Sequence, residues 1–176
     1  MANKLLQIHP TLNVPYEVEA TVTSTGVAEA GDVVALDANG KLDMSVLPTG
    51  IGADVAIILA SENLGAGDFV NIYNNAGTAN VRLADATAAN AAEIAHGFVL
   101  NNVTSGNNAT VYFEGTNDQV SGLTPGVTYA LSDTTPGGVV ALGSATTTAG
   151  ESLQILGVAT SATAINVEIG KPTIRG

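Results

Sequence analysis

The sequence contains no cysteine and no tryptophan, and it is poor in charged and aromatic residues. Without cysteine the chain cannot form a disulfide, a zinc–thiolate site or a cysteine nucleophile. With only three phenylalanines and four tyrosines, the core must be packed mainly from valine, leucine, isoleucine and alanine. Only 12% of the residues are charged. The polar surface must therefore consist mostly of Thr, Ser, Asn and Gly, which suits packing against other protein.

Basic residues are scarce, and the formal net charge is −11. The five basic residues form no cluster, so binding to a nucleic-acid backbone or to an anionic membrane is electrostatically disfavoured. No apolar run is long enough for a transmembrane helix, and the first residues lack the apolar stretch of a secretory signal. We therefore expect a soluble protein made in the cytoplasm. The basic residues are Lys4, Lys41, Arg82, Lys171 and Arg175.

Short strands joined by tight turns are the dominant pattern of the 176 residues. β-Branched residues alternate with turn formers, among them 20 glycines, and turn signals recur about every eight to twelve residues, as in sandwiches and barrels. The predicted fold is all-β: an antiparallel barrel or sandwich of short strands with an extended N-terminal arm and little or no helix. Residues 85–95 are alanine-rich, and they are predicted to form either the one longer helix or an ordered loop.

Three segments are predicted along the chain: an extended N-terminal arm over residues 1–15, a small β-hairpin module over 16–50 and a β-barrel or sandwich domain over 51–176. Within the second segment, Asn39-Gly40 between two apolar runs is a strong hairpin signal. The first segment is either a disordered terminus or an arm that docks on another surface. Its apolar residues favour docking, and they are the candidate contact residues: Leu5, Leu6, Ile8, Leu12 and Val14.

A weak internal repeat joins two parts of the third segment. Residues 67–115 contain Gly-x-Phe/Val strings, a glycine turn, a return strand and a strand that ends in Glu-Gly. Residues 125–170 repeat this order, and residues 31–42 resemble its opening half. We interpret the unit as a hairpin followed by two further strands, used about twice to close one barrel. The alternative is chance recurrence in a chain rich in glycine and valine.

Catalytic patterns are missing from the sequence. His9 stands beside a proline and His96 at the start of a strand, and neither has the neighbours of a nucleophile–histidine arrangement. The carboxylates are spread singly, mostly beside glycines, where aspartate satisfies the donors of a turn. There is no calcium-binding loop and no phosphate-binding loop. We therefore predict a non-enzymatic protein without a cofactor or a resident metal, although a cation at a subunit junction stays open.

Three stretches of the chain resemble structural proteins of phage virions. The first, GDVVALDANGKLD followed by VLP, is similar to short modules in phage head and tail proteins. The second runs from AGDFVNI through AHGFV to TVYFEG, and GLTPGVTYALS continues it; both resemble a β-module of virion proteins. The stretches cover residues 31–48, 66–115 and 122–132.

The resemblance implies a binding protein on the virion. The size of the chain favours a capsid decoration (cement) protein, which implies a homotrimer on the capsid surface that contacts the major capsid protein through the terminal arm. The alternative is a tail-fibre or baseplate module that binds a receptor or glycan, with Tyr73, Tyr112 and Tyr129 as its candidates. A hydrolase of host polysaccharide is the third hypothesis, and only the scattered carboxylates favour it.

Overall fold

The protein divides into two compact units, Met1–Gly52 and Ala53–Gly176. Its structure is a computed structural model, which describes residues 4–38, 40–47, 54–87, 90, 92–145 and 148–176, without the side chain of Met44. Over these residues the chain forms fourteen β-strands and three 3₁₀ helices and no α-helix. The predicted all-β fold with little or no helix is confirmed.

The first unit contains one hairpin, β1–β2, whose strands pair antiparallel from Lys4 opposite Glu19 to Ile8 opposite Pro15. The structure does not show the predicted extended arm, because residues 4–8 are paired along their length. The apolar start of the chain pairs with the alternating strand that follows it, and this pairing was not predicted from the sequence. Pro15 starts β2, a position at an edge that tolerates the missing N–H. The elements are β1 (Lys4–Ile8), β2 (Pro15–Glu19) and 3₁₀ helices at Val27–Glu29 and Met44–Val46.

The hairpin predicted at Asn39-Gly40 is not formed by the described residues around it. Asn39 itself lies outside the described residues, but Gly40 has a φ of 73° and its N–H donates to the Asp37 carbonyl at 3.0 Å. A turn is therefore present. No strand flanks it within residues 20–38 and 40–47, where Val34 makes only an isolated parallel bridge with Thr21.

The second unit contains a closed five-stranded barrel and an open five-stranded sheet. The barrel order is β3-β5-β4-β6-β7, and the sheet order is β10-β9-β12-β13-β8, while β11 pairs with β14. The strands are β3 (Val55–Ala60), β4 (Phe69–Asn75), β5 (Thr78–Leu83), β6 (Gly97–Phe98), β7 (Asn108–Tyr112), β8 (Gly115–Asn117), β9 (Thr128–Leu131), β10 (Val139–Ala141), β11 (Ser152–Leu153), β12 (Ile155–Ser161), β13 (Ala164–Val167) and β14 (Thr173–Ile174), with a 3₁₀ helix at Leu142–Ser144.

The barrel and the sheet are two copies of one five-stranded arrangement. In the first copy β4 pairs with β5 and β6, β6 pairs with β7, and β7 pairs with β3. In the second copy β9 pairs with β10 and β12, β12 with β13, and β13 with β8, again all antiparallel. The predicted repeat thus recurs in the strand pairing. The expectation that both copies close one barrel is wrong, because only the first copy closes, through a parallel β3–β5 pairing.

Glycines at matching positions allow the same close crossing in both copies. A Cβ at Gly97 would lie 2.6 Å from the carbonyl oxygen of Tyr112, and a Cβ at Gly157 would collide with that of Asn166. Tyr112 and Asn166 occupy equivalent places on β7 and β13. Only glycine fits where one strand passes so near the next.

Two hydrophobic clusters form the core of the second unit. One fills the barrel with small side chains, among them Val70, Val81 and Val111. The other lies between barrel and sheet, where Phe69 and Phe98 from the first copy meet side chains of the second. Phe69 and Val70 are neighbours in β4 and point to opposite faces, one into each cluster. The sheet contributes Leu131, Leu156 and Ile165.

The alanine-rich segment forms a loop over its described residues, 85–87, 90 and 92–95. Asp85 organises it: its N–H donates to the Glu93 carbonyl at 2.8 Å, and its carboxylate accepts from the Thr87 N–H and the Asn90 amide, both at 2.9 Å. Of the two predictions for this segment, the ordered loop describes these residues.

Candidate interaction surface

The predicted contact residues all lie exposed on the N-terminal hairpin and its loop. Leu6 is 75% exposed, Leu12 66% and Ile8 60%, and Leu5 and Val14 are exposed as well. Leu6 and Ile8 alternate along β1, so they point from the same face of the hairpin, while Leu5 points from the opposite face. The structure therefore brings together Leu6 and Ile8, and it places Leu12 and Val14 on the loop beside them.

Polar contacts fix the shape of this hairpin. The imidazole Nδ1 of His9 accepts the backbone N–H groups of Thr11 and Leu12 at 3.2 Å each, and its ring packs edge-on against Tyr16 with 5.3 Å between centroids. On the strands, Lys4 pairs with Glu17 at 2.7 Å. Both of these side chains are largely exposed, so the ion pair contributes little stability. His9 thus has a structural part in holding the loop that presents Leu12.

The first unit has no buried side chain among its described residues. It nevertheless exposes most of the large apolar side chains that are exposed in the described chain, including Val27 and Leu36 besides those of the hairpin. An isolated two-stranded hairpin is marginal in water, and contiguous apolar surface on a protein commonly marks a site of interaction. The first unit therefore presents apolar surface that its own residues leave uncovered.

His96 and the predicted tyrosines have structural partners in the second unit. The Nδ1 atom of His96 accepts the Ile72 N–H at 3.0 Å, and burial lowers the pKa of the imidazole. Tyr129 is buried, and its hydroxyl accepts the Thr124 N–H at 2.9 Å. Tyr112 stacks on Phe98. In both histidines Nδ1 accepts backbone N–H groups.

Tyr73 borders a groove. The guanidinium of Arg82 lies over its ring, 4.4 Å from the centroid. Arg82 is itself held by Glu93 at 2.9 Å and by the Asn71 side-chain oxygen at 3.1 Å. A cavity of about 410 Å³ is lined by Tyr73 together with Ile72, Asn74, Gly77 and Ala79. The sequence offered one signal for this cluster, since Arg82 is the single basic residue between Lys41 and Lys171.

The surroundings of the carboxylates shift their pKa values in different directions. Hydrogen bonds from Thr25 and Ser45 lower the pKa of Glu29 and Asp43 respectively. Burial raises the pKa of Asp68, and the negative charge of Glu62 adds to this effect. For Asp85 burial opposes ionisation, but the hydrogen bonds from Asn90 and Thr87 outweigh it and lower the pKa.

Within the described residues, no group of three or more histidine, aspartate or glutamate side chains is placed to hold a metal ion. None of the helices in that part of the chain is long and apolar enough to cross a bilayer. Comparison of the chain with protein-family models, with curated proteins and with solved structures gave no match.

Proposed function

We propose that this chain is a non-enzymatic structural protein of a phage virion, made in the host cytoplasm and bound to the capsid surface as a decoration protein. The observation that carries the proposal is the first unit, which exposes apolar side chains and buries none among its described residues. Such a surface gains free energy when another apolar surface, for example that of a partner protein, covers it. The resemblance of residues 31–48, 66–115 and 122–132 to virion proteins points to the class of partner.

The energetics suit a protein that binds in many copies. Fully burying one leucine or isoleucine side chain contributes about 1.5–3 kcal/mol, and Leu6, Ile8 and Leu12 are each exposed over more than half their surface. Tryptophan, tyrosine and arginine dominate strong single interfaces, and of these the described hairpin contains only Tyr16. Modest contacts repeated on a lattice give firm attachment through multivalency. A homotrimer, which the resemblance implies, would multiply the contacts again, and it belongs to the proposal.

The second unit supplies the rigid part of the proposed function. Its two copies share one apolar cluster, so that Phe69 and Phe98 of the barrel pack against Leu131 and Leu156 of the sheet. A core packed in this way keeps the second unit in one shape. In the proposal, the hairpin residues Leu5, Leu6, Ile8, Leu12 and Val14 contact the major capsid protein.

A binding experiment with a matched pair of variants tests this proposal. Capsids of the phage that encodes the chain are prepared without it, and purified protein is added back. Ile8→Asp should weaken binding by about tenfold or more, because about 1.4 kcal/mol of lost burial corresponds to a factor of ten. Ile174→Asp is the control, since Ile174 is similarly exposed but lies on β14 of the second unit. Equal binding by both variants and the unmodified chain would remove the hairpin from the capsid contact.

The alternative is a receptor- or glycan-binding module of a tail fibre or baseplate. The observation that favours it is the groove beside Tyr73, where an aromatic ring and a neighbouring guanidinium stand next to a cavity of about 410 Å³. Under this alternative, Tyr73→Ala should abolish adsorption to host cells and Ile8→Asp should leave it unchanged. Under the decoration function, Ile8→Asp should weaken capsid binding and Tyr73→Ala should leave it unchanged.

A further inference from the structure

The second copy in Ala53–Gly176 has an open seam where the first copy is closed. In the barrel, Leu59 and Ala60 at the end of β3 pair with Asn80 and Val81 of β5. In the sheet, the equivalent strands β8 and β10 are the two edges and do not pair with each other. The seam is the gap between them.

Strand register identifies the residues on either side of the seam. The pair Ile72–Val81 of β4 and β5 corresponds to Leu131–Val139 of β9 and β10, so Val139 is the counterpart of Val81. In the same way, β3 is aligned with β8 through the register of β3 against β7 and of β8 against β13. Continued along the chain, this alignment makes Val120 and Ser121 the counterparts of Leu59 and Ala60. A cavity of about 220 Å³ lies between these two segments, and it is lined by residues 66–68, 119–121 and 137–139.

A loop of the first copy reaches into this seam. The Asn117 side-chain amide donates to the Gly67 carbonyl at 2.8 Å, and the Phe69 N–H donates to the Gly137 carbonyl at 2.8 Å. A Cβ at Gly67 would lie 2.6 Å from the Gln119 carbonyl oxygen. Glycine at this position, with a φ of 93°, lets the loop come close enough to carry the next residue, Asp68, to the cavity wall.

Asp68 is the single charged side chain among the lining residues of this cavity. Its carboxylate accepts one hydrogen bond that the described contacts include, from the Gly65 N–H at 2.6 Å. The ion pairs among the described residues, Lys4–Glu17 and Arg82–Glu93, do not include it. Burial and the charge of Glu62 both raise its pKa. The cavity thus holds a partly desolvated negative charge that none of the ion pairs among the described residues neutralises.

The turn that carries Asp68 does not require a carboxylate, as its counterpart in the second copy demonstrates. Asp68 N–H donates to the Gly65 carbonyl at 3.1 Å, and Val127 N–H donates to the Thr124 carbonyl at 3.2 Å. The glycines that precede them, Gly67 and Gly126, donate to equivalent carbonyls at 2.8 Å. Valine occupies the matching position in the second copy, where the Tyr129 hydroxyl takes the place of the Asp68 carboxylate and accepts the Thr124 N–H at 2.9 Å. A neutral acceptor therefore serves the same turn, and the negative charge of Asp68 is not needed for it.

We propose that the seam cavity binds a guanidinium group, supplied either by an arginine side chain of a partner protein or by a free arginine-like molecule. A guanidinium is planar and carries five donors in a fixed fork, which matches a carboxylate and leaves donors for nearby peptide carbonyls. Pockets for drug-sized ligands have volumes of about 300–1,000 Å³. The seam cavity is smaller, so it accommodates a guanidinium group rather than a whole ligand of that size. The net charge of −11 attracts cations to the chain.

NMR titration of the ¹⁵N-labelled full chain tests this site. The probes are Nα-acetyl-arginine methylamide and a Gly/Ser peptide that contains one arginine, each compared with its citrulline analogue, which has the same shape without the charge. The amide signals of Gly67, Gly137 and Gly138 should shift and saturate with the arginine probes and remain unchanged with citrulline. A peptide that binds at least tenfold more tightly than the amino-acid derivative assigns the site to a partner side chain, and equal affinities assign it to a free ligand.

Variants at the carboxylate complete the test. Asp68→Asn and Asp68→Val should each lose the arginine-dependent shifts, while Asp118→Asn, next to the lining residue Gln119, should keep them. Asp68→Val is included because valine already occupies the matching position in the second copy, so this variant is expected to fold. The comparison of arginine with citrulline needs no variant, so it tests the site even if a variant does not fold. Shifts that are equal for arginine and citrulline, shifts that persist in both Asp68 variants, or no shift at millimolar probe would overturn the assignment. The site is in the second unit and its test contains no capsid, so the result is independent of the proposed function.

Discussion

At the scale of single residues, small differences in surroundings decide whether the ionised form of an aspartate stabilises or destabilises the fold. Asp68 and Asp43 both accept a backbone N–H within their own turn, from Gly65 and Ser45 respectively. Burial raises the pKa of Asp68, whereas hydrogen bonds lower the pKa of the exposed Asp43. The first carboxylate opposes folding when ionised, and the second favours it.

This difference predicts opposite effects of replacing the two aspartates by asparagine. Because the folded-state pKa of Asp68 is raised above 3.8, its ionisation lowers stability as the pH rises through that pKa. Asp68→Asn keeps an acceptor for the Gly65 N–H, and should stabilise the protein at pH 7 by a fraction of a kcal/mol, since solvent screens a half-buried group. The gain should vanish below pH 3.8, where the carboxyl is already protonated.

Asp43→Asn serves as the control of opposite sign. Its lowered pKa means that the ionised form stabilises the fold above 3.8 and that this contribution is lost as the pH falls through the folded-state pKa. Urea unfolding of both variants and the unmodified chain at a series of pH values measures the differences. Stabilisation by Asp43→Asn at pH 7, or destabilisation by Asp68→Asn, would contradict the account.

At the scale of structural elements, the sequence predicted what local chemistry decides. The turn around Pro125-Gly126, in which Gly126 has a φ of 81° and the Val127 N–H donates to the Thr124 carbonyl, is of this kind, because proline and glycine specify it. The apolar run at 55–60 likewise forms a strand, β3. The pairing of β1 with β2 was missed, since an apolar stretch with two prolines does not reveal its partner.

Of the two candidate sites, the exposed hairpin residues could be chosen from the sequence and the seam cavity could not. Leu6, Ile8 and Leu12, which were chosen from the sequence as contact residues, are exposed, and their contact with a partner stays a prediction. The seam cavity could not be predicted, because it depends on β8 and β10 failing to meet as β3 and β5 do. That outcome is a property of the tertiary arrangement, in which a loop of one copy enters the other. No local pattern around Asp68 distinguishes it from an ordinary turn aspartate.

The repeated strand crossing gives a prediction at this scale. Gly157→Ala places a Cβ against the carbonyl of Asn166, at a φ of 152° that side chains rarely adopt. We expect a loss of about 1–3 kcal/mol or more, as for overpacking in a core, seen as a lower urea midpoint with an unchanged slope. Gly97→Ala should cost a similar amount, because the crossing is the same in the first copy.

Gly143→Ala is the matched control, because a Cβ there meets nothing within 4 Å. Its effect should stay within about 0.5 kcal/mol, as for an ordinary surface change. A neutral Gly157→Ala alongside a costly Gly97→Ala would show that the two copies do not share the crossing.

At the scale of the whole molecule, the two units differ in where their apolar side chains go. The second unit buries its apolar residues in two clusters, while the described part of the first unit buries none and exposes many. The second unit has a core of its own, although some of its large apolar side chains, such as Ile57, are exposed, whereas the described part of the first unit has no core and gains from being covered. This contrast is the physical basis for proposing a binding protein that decorates a larger assembly.

The number of copies of this chain in each phage particle tests that central claim most directly. Quantitative mass spectrometry of purified virions, with the major capsid protein as the internal standard, gives this number. The decoration function predicts hundreds of copies per particle, in a fixed ratio to the capsid protein. A few copies per particle, or none, would contradict it.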